Sequence, residues 1–181
     1  MAGTPVLVLP GYGDSGPEHW QSLWQAQDAG CRRVVQRDWF APTLAEWREC
    51  LDAAVAACER PPILVAHSLG CVLAAHWARQ SRSAIAGGLL VAPADVNMLA
   101  LVLDAVATFA PVPLEPLPFP SIVVAGSNDS YVSVERAQAF ARAWGSRFVG
   151  LRGAGHINGE SGFGQWPEGR ALLDELVRGA G

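Results

Sequence analysis

Six short apolar runs recur along the chain, "PVLVLP" from 5, "RRVVQ" from 32, "PILVAH" from 62, "GGLLVA" from 87, "SIVVAG" from 121 and "RFVGLR" from 147. Each has the length of a strand rather than of a helix. Several are continuously apolar instead of alternating, so both faces of such a strand must be covered. That requirement leaves few architectures. The expectation is a three-layer α/β fold, a mainly parallel sheet of about six strands with helices on both faces.

The stretches between the runs agree with this. Thr43 and Glu46 form a capping box ahead of Leu44, Trp47, Leu51, Val55 and Cys58 at helical spacing, which predicts a helix over 43–58. Ser133 can cap a helix carrying Val134, Ala137, Ala141 and Trp144, and "GRALLDELVRG" predicts a last one. The longest connection, 93–120, holds a helical stretch from Val96 to Phe109 and then "PVPLEPLPFP", a stiff return loop into the next strand. No insertion is large enough for a lid domain. With 181 residues, half of them apolar and 17% charged, residues 1–181 are expected to form one domain.

Composition removes several chemistries. All 13 basic residues are Arg, against 17 acidic ones, for a net charge of −4. No basic field invites nucleic acid. Without Lys there is neither a phosphate-loop lysine nor a Schiff base. Cys31, Cys50, Cys58 and Cys71 lack metal-site spacing and read as small apolar fillers in a reducing compartment. No signal core or membrane-length apolar run is present, so the expected location is the cytoplasm, with no membrane contact and no metal or cofactor.

The chemistry concentrates in "ILVAHSLGCVLAAHWA". Ser68 stands where a buried strand gives way to a helix of small residues, the setting of a nucleophile elbow. The usual G-x-S-x-G is here Ala66-His67-Ser68-Leu69-Gly70, with one extra methyl at Ala66. A serine capping a helix after a strand is the plainer alternative. A hydroxyl needs a base to become nucleophilic, and in this architecture the acid and the histidine follow the serine in that order. His156, in the glycine-rich "GAGHINGESGFG", is the one histidine far enough downstream. His76 reads as a structural helix residue, and His67 as the elbow's neighbour, pointing away from the nucleophile. His19 lies in the first loop and could line the pocket. Asp129, at the end of "SIVVAG", is the expected acid. Asp95, after "LLVAPA", is the alternative, although it can equally cap the helix from Val96.

"GYGDSG", residues 11–16, matches the dinucleotide pattern G-x-G-x-x-G, with Asp38 about 20 residues further on. Pro17, however, pushes Gly16 out of helical dihedrals where the cofactor fold needs it inside the opening helix. A loop after the first strand has another use. It supplies one backbone N–H to an oxyanion, Tyr12 or Gly13 here, while the residue after the nucleophile, Leu69, supplies the second. Trp20, Trp24, Trp39 and Trp166 accompany these loops and are candidates for the pocket wall.

"GYGDSGPEHWQSLW", "RDWFAPTLAEW", "AHSLGC", "AGSNDSYV" and "GAGHINGESGFGQWPEG", in that order, resemble the small serine hydrolases related to retinoblastoma-binding protein 9 and the YdeN proteins. The resemblance spans nearly the whole chain. It implies an α/β-hydrolase fold with Ser68 as nucleophile, Asp129 as acid and His156 as base. It does not bring a pocket-protein partner with it, because the nearest approach to L-x-C-x-E is Leu69-Gly70-Cys71-Val72-Leu73. The expected function is hydrolysis of a small carboxylic ester, thioester or activated amide, a small-molecule acyl substrate. The alternatives are a non-catalytic binding protein on the same fold and a nicotinamide-dinucleotide oxidoreductase.

Overall fold

The computed structural model describes residues 3–180. Six strands, β1 (Val6–Leu9), β2 (Cys31–Arg33), β3 (Ile63–His67), β4 (Gly87–Val91), β5 (Ser121–Gly126) and β6 (Arg147–Leu151), form one sheet in the order β2-β1-β3-β4-β5-β6. Every pairing is parallel, with Val8 opposite Val65 and Leu9 opposite Ala66. Alternate residues of each inner strand enter different cores, as the continuous apolar runs require. Leu7, Leu9, Leu64, Ala66 and Val123 face a layer made by α2 (Leu44–Ala56), α3 (Leu69–Ala78) and α5 (Val134–Trp144). Val6, Val8, Val65, Leu89 and Val124 face α1 (Trp20–Gln27) and α6 (Pro167–Gly179). This is the three-layer α/β-hydrolase architecture without a lid domain.

Helix ends follow local chemistry. Thr43 Oγ1 accepts the Glu46 N–H at 3.3 Å and donates to the Glu46 carboxylate at 2.8 Å, so the box caps α2. Ser133 Oγ accepts the Arg136 N–H at the start of α5, and Gly145, at φ 70°, closes it in the left-handed conformation. α6 opens with Pro167, where a missing N–H costs nothing. α3 is buried from Leu69 to Trp77 and runs through the centre of its layer, consistent with its apolar character all round.

Three expectations need correction. β2 is Cys31–Arg33 rather than 32–36, because the chain leaves the sheet edge after Val34 donates to the Val8 carbonyl, and Val35 is turned to solvent. The helix expected over Val96–Phe109 divides into a short α4 (Val96–Leu99) and a 3-10 turn (Asp104–Phe109), with Leu103 extended between them. Asp95 provides no side-chain cap, since its carboxylate is drawn to Arg136, and the segment has apolar residues on both sides rather than one stripe. Trp20, Trp24 and Trp166 are core residues, Trp39 is partly buried, and none of the four lines the cavity at Ser68. Trp20, Trp24 and Trp166 pack together with ring centroids 4.7 and 5.1 Å from Trp20, and Trp39 meets Trp47 edge to face. The proline-rich return loop lies on α5, where Trp144 Nε1–H donates to the Pro113 carbonyl at 2.7 Å.

The four cysteines are free thiols, Cys31 and Cys71 buried. Among the described residues no helix is long and apolar enough to cross a membrane, and no cluster of histidine, cysteine and carboxylate side chains is placed to hold a metal ion.

Three histidines, His19, His67 and His76, are buried. Burial is the main reason that His19 is pushed down to about 4, His67 well below the usual value, and His76 below it too. In the unfolded chain each binds a proton below about pH 6.5, whereas the folded protein keeps it neutral. Their contribution is therefore complete above that pH and is lost as the pH falls from 6.5 towards 4, by up to about 1.4 kcal/mol per pH unit for each histidine. Urea midpoints measured from about pH 7 down to 4.5 should fall accordingly. His76→Gln, which retains a donor for the Phe109 carbonyl that His76 now meets at 2.8 Å, should flatten that slope.

Candidate active site

Ser68 links β3 to α3 with φ 53° and ψ −118°, a conformation that a side chain adopts at a cost of about 1–3 kcal/mol. Its neighbours over-determine it. The Ser68 N–H donates to the Val91 carbonyl at 3.0 Å, and the Ser68 carbonyl accepts from Cys71 N–H at 3.0 Å. Gly70 permits the turn, because a Cβ there would lie 2.3 Å from the Leu9 carbonyl oxygen. Ala66, the departure from the usual elbow, is fully buried between Leu9 of β1 and Leu90 of β4 and leaves this geometry intact.

The turn aims Ser68 Oγ at His156, 2.9 Å from Nε2. On the other side of the ring, Nδ1 lies 2.8 Å from Asp129 Oδ2. A carboxylate only accepts, so Nδ1 carries the proton and Nε2 is free to accept from the serine hydroxyl. The Asp129 side chain is entirely screened from solvent, and its second oxygen accepts the Tyr131 N–H at 2.8 Å. Thus both carboxylate oxygens are engaged, and the imidazole is fixed in one orientation. Asp95 does not reach the histidine; it pairs with Arg136 at 3.1 Å.

The loop that carries His156 is tied down along its length. Gly155 N–H donates to Asn128 Oδ1 at 2.7 Å, lacing this loop to the one that bears Asp129. Trp20 Nε1–H donates to the Ile157 carbonyl at 2.8 Å. His67 Nε2–H donates to the carbonyl of His156 itself, also at 2.8 Å, and the two rings touch with centroids 4.7 Å apart. His67 was expected only to point away from the nucleophile; instead it supports the base. Sequence reasoning also missed Gln21, which is fully buried and donates from Nε2 to the carbonyls of Leu9 and Val65, joining the end of β1 to the middle of β3. A glutamine in an amphipathic helix carries no signal of such a role.

On the opposite side of Ser68 lies the loop after β1. A Cβ on Gly11 would stand 2.9 Å from Ser68 Cβ and 3.3 Å from Leu69 N, so the missing side chain keeps the space before that N–H open. Leu69 is the first residue of α3, where N–H groups lie ahead of the helical ladder. Of the two residues expected to supply a second donor, Gly13 is ruled out, since its N–H donates to the Trp39 carbonyl at 2.9 Å. The Tyr12 N–H makes no hydrogen bond among the described residues. Asp38, the residue that completed the dinucleotide pattern, accepts the N–H groups of Phe40 and Ala41 in a local turn.

These groups open into a cavity of about 570 Å³, walled by Tyr12, His19 and His67 near the serine and by Val96, Leu103 and Val106 beyond it. No tryptophan lines it. A hydroxyl, an imidazole, a carboxylate and backbone N–H groups around one cavity are the kinds of group that acyl transfer uses.

Comparison with known proteins agrees. A YdeN-like hydrolase from Pectobacterium atrosepticum shares 35% identity over 98% of this chain and 92% of its own, with a TM-score of 0.88. The ydeN product of Bacillus subtilis, 20% identical over 97% and 99% of the two chains, superposes with a TM-score of 0.75. A monoacylglycerol lipase of Paleococcus ferrophilus, 16% identical over 98% and 96%, shares the fold with a TM-score of 0.69. No curated protein matches the sequence. The serine hydrolase family pattern matches residues 6–175, and with nearly the whole chain thus accounted for, the protein belongs to the serine hydrolase family.

Proposed function

We propose that the protein hydrolyses a small carboxylic ester, thioester or activated amide through an acyl-enzyme, with residues 1–181 acting as a single domain. The observation that carries this reading is the unbroken chain from Ser68 Oγ to His156 Nε2 at 2.9 Å and from His156 Nδ1 to Asp129 at 2.8 Å. Ser68 Oγ attacks the carbonyl carbon as its proton passes to His156 Nε2. Asp129 holds the tautomer and stabilises the imidazolium. The negative charge that forms on the carbonyl oxygen is met by the N–H groups of Leu69 and Tyr12, one such donor being worth on the order of 3 kcal/mol in the barrier. His156 returns the proton to the leaving group, and water, activated by the same nitrogen, releases the acid.

Ester chemistry is what the name of the Paleococcus relative states of that protein, and the apolar part of the present cavity suits the carbon chain of an acyl group. The reaction as written uses no group beyond these side chains, backbone donors and water.

A fluorophosphonate probe should label the wild-type protein at Ser68 and leave Ser68→Ala unlabelled. Hydrolysis of p-nitrophenyl acetate by that variant should fall by about 10⁶-fold in kcat. Intact-mass analysis and initial rates read both; equal labelling of wild type and variant sinks the assignment. Asp129→Asn preserves the shape of the site but accepts the wrong histidine tautomer, so kcat should drop by about 10⁴-fold with KM little altered. Asp95→Asn, which touches only the Arg136 pair, should not show that loss.

A further inference from the structure

The cavity in front of Ser68 has two arms of different chemistry. One lies over the α3 face of the sheet and is walled by Ala94, Val96, Leu99, Leu103 and Val106. The other lies over the α1 face, between residues 14–19 and 158–160. These two segments touch, since a Cβ on Gly159 would stand 3.7 Å from the Glu18 carbonyl. Asp14, Glu18 and Glu160 line the second arm, and no arginine lines either arm. Asp14 is neutralised by Arg33 at 2.6 Å. Glu18 and Glu160 are exposed at the mouth, and among the described residues neither has an ion-pair partner.

His19 forms part of the wall of the acidic arm. Its Nδ1 accepts the Gln21 N–H at 3.2 Å, so the proton of the neutral ring sits on Nε2. That N–H, on the ring edge away from α1, is buried without a partner, in a residue only 7% exposed. Burial keeps the ring uncharged, so it does not offset the two glutamates. An unpaired buried donor is uncommon in a native core; here the nitrogen is closed off from the cavity, so the wall that His19 adds to this arm carries no charge.

Which arm takes which half of the substrate follows from the base. His156 Nε2 delivers the proton to the departing atom, and Asn158, Gly159 and Glu160, the next residues of its own loop, wall the acidic arm. We propose that the substrate joins an apolar acyl group, held along Val96, Leu99, Leu103 and Val106, to a cationic leaving group of the amino-alcohol type, held between Glu18 and Glu160 beside His19. This rests on the reading of Ser68 as nucleophile. In the first step the Ser68 Oγ–acyl bond forms and the acyl–oxygen bond to the amino alcohol breaks. The serine proton leaves with the alcohol by way of His156. Water then adds to the acyl carbon, and its proton restores Ser68 as the carboxylic acid departs.

The test compares kcat/KM for four esters at low salt: butyrylcholine, its uncharged isostere 3,3-dimethylbutyl butyrate, the anionic 2-sulfoethyl butyrate, and a reversed compound, the n-butyl ester of 4-aminobutyrate. Butyrylcholine should exceed the isostere by at least about fivefold and the anionic ester by more, with the advantage shrinking as NaCl rises to about 0.5 M. The ratio of choline ester to isostere should fall towards one in Glu18→Gln/Glu160→Gln; being measured within one preparation, it is insensitive to the folded fraction. A ratio near one in the wild type, a preference for the reversed ester, or fluorophosphonate-labelled Ser68 with no turnover of butyrylcholine overturns the proposal while leaving the hydrolase reading in place. Absence of labelling at Ser68 takes down the hydrolase reading itself.

Discussion

Everything at this site depends on one residue held where a side chain does not ordinarily sit. Ser68 has φ 53° because the chain passes from the strand to the helix through this one residue. The strain is not relieved locally; it is overcome by the sheet. Val91 of β4 accepts the Ser68 N–H, and the carbonyl of Leu9 in β1 approaches so closely that only glycine fits at position 70. Three adjacent parallel strands therefore have to be in register before the hydroxyl can face outward. Their register is secured by apolar side chains entering cores on both faces, and Gln21 adds a polar tie between two of them, β1 and β3. In this way hydrophobic burial across the whole sheet supports a strain of a few kcal/mol at a single position.

The imidazole of His156 is positioned by a different device. A glycine-rich loop supplies reach but no rigidity, and His156 gains its rigidity from polar contacts at three points: Asp129 at the ring, His67 at its own carbonyl, and Trp20 at the carbonyl of Ile157. Trp20 and Ile157 are fully buried in the α1/α6 layer. The serine is thus referenced to the sheet itself and the histidine to the layer beneath it, and the two meet because one strand, β3, ends in His67 and leads directly into Ser68.

How much of this can be read from the sequence depends on whether a feature is local. Continuous apolar runs imply parallel strands covered on both sides, and Thr43 and Ser133 mark helix starts from within a few residues. The order Ser68, Asp129, His156 is legible because each stands at or beyond the end of a strand and few other residues have suitable chemistry. Features that depend on distance across the fold are not legible. Nothing near Asp95 in sequence says that Arg136 will take its carboxylate and leave α4 uncapped, 41 residues away. Nothing near Gly13 says that its N–H will be spent on Trp39, which decides between the two donors expected in that loop. The tryptophans illustrate the same limit, since proximity to motif residues along the chain places Trp20 and Trp24 beneath the site rather than in its wall.

The three contacting imidazoles of His19, His67 and His156 show how burial shapes the electrostatics of the base. Centroids of His19 and His67, and of His67 and His156, are each 4.7 Å apart. In the proposed reaction His156 takes the serine proton and becomes a cation beside two rings that could each carry the same charge. Desolvation prevents this, holding both neighbours neutral, and His67 presents only a donor to the backbone. The charge that faces the imidazolium of this proposed step is Asp129, whose side chain is shielded from solvent and so acts through a weakly screening medium. Of the other carboxylates that line the cavity, Asp14 is paired with Arg33, and Glu18 and Glu160 stand exposed at the mouth, where water screens their repulsion of the oxyanion of the proposed reaction. Burial thus sorts the charges: it removes those that would oppose the proton transfer, strengthens the one that assists it, and leaves in solvent those whose field has to stay weak at the reacting carbon.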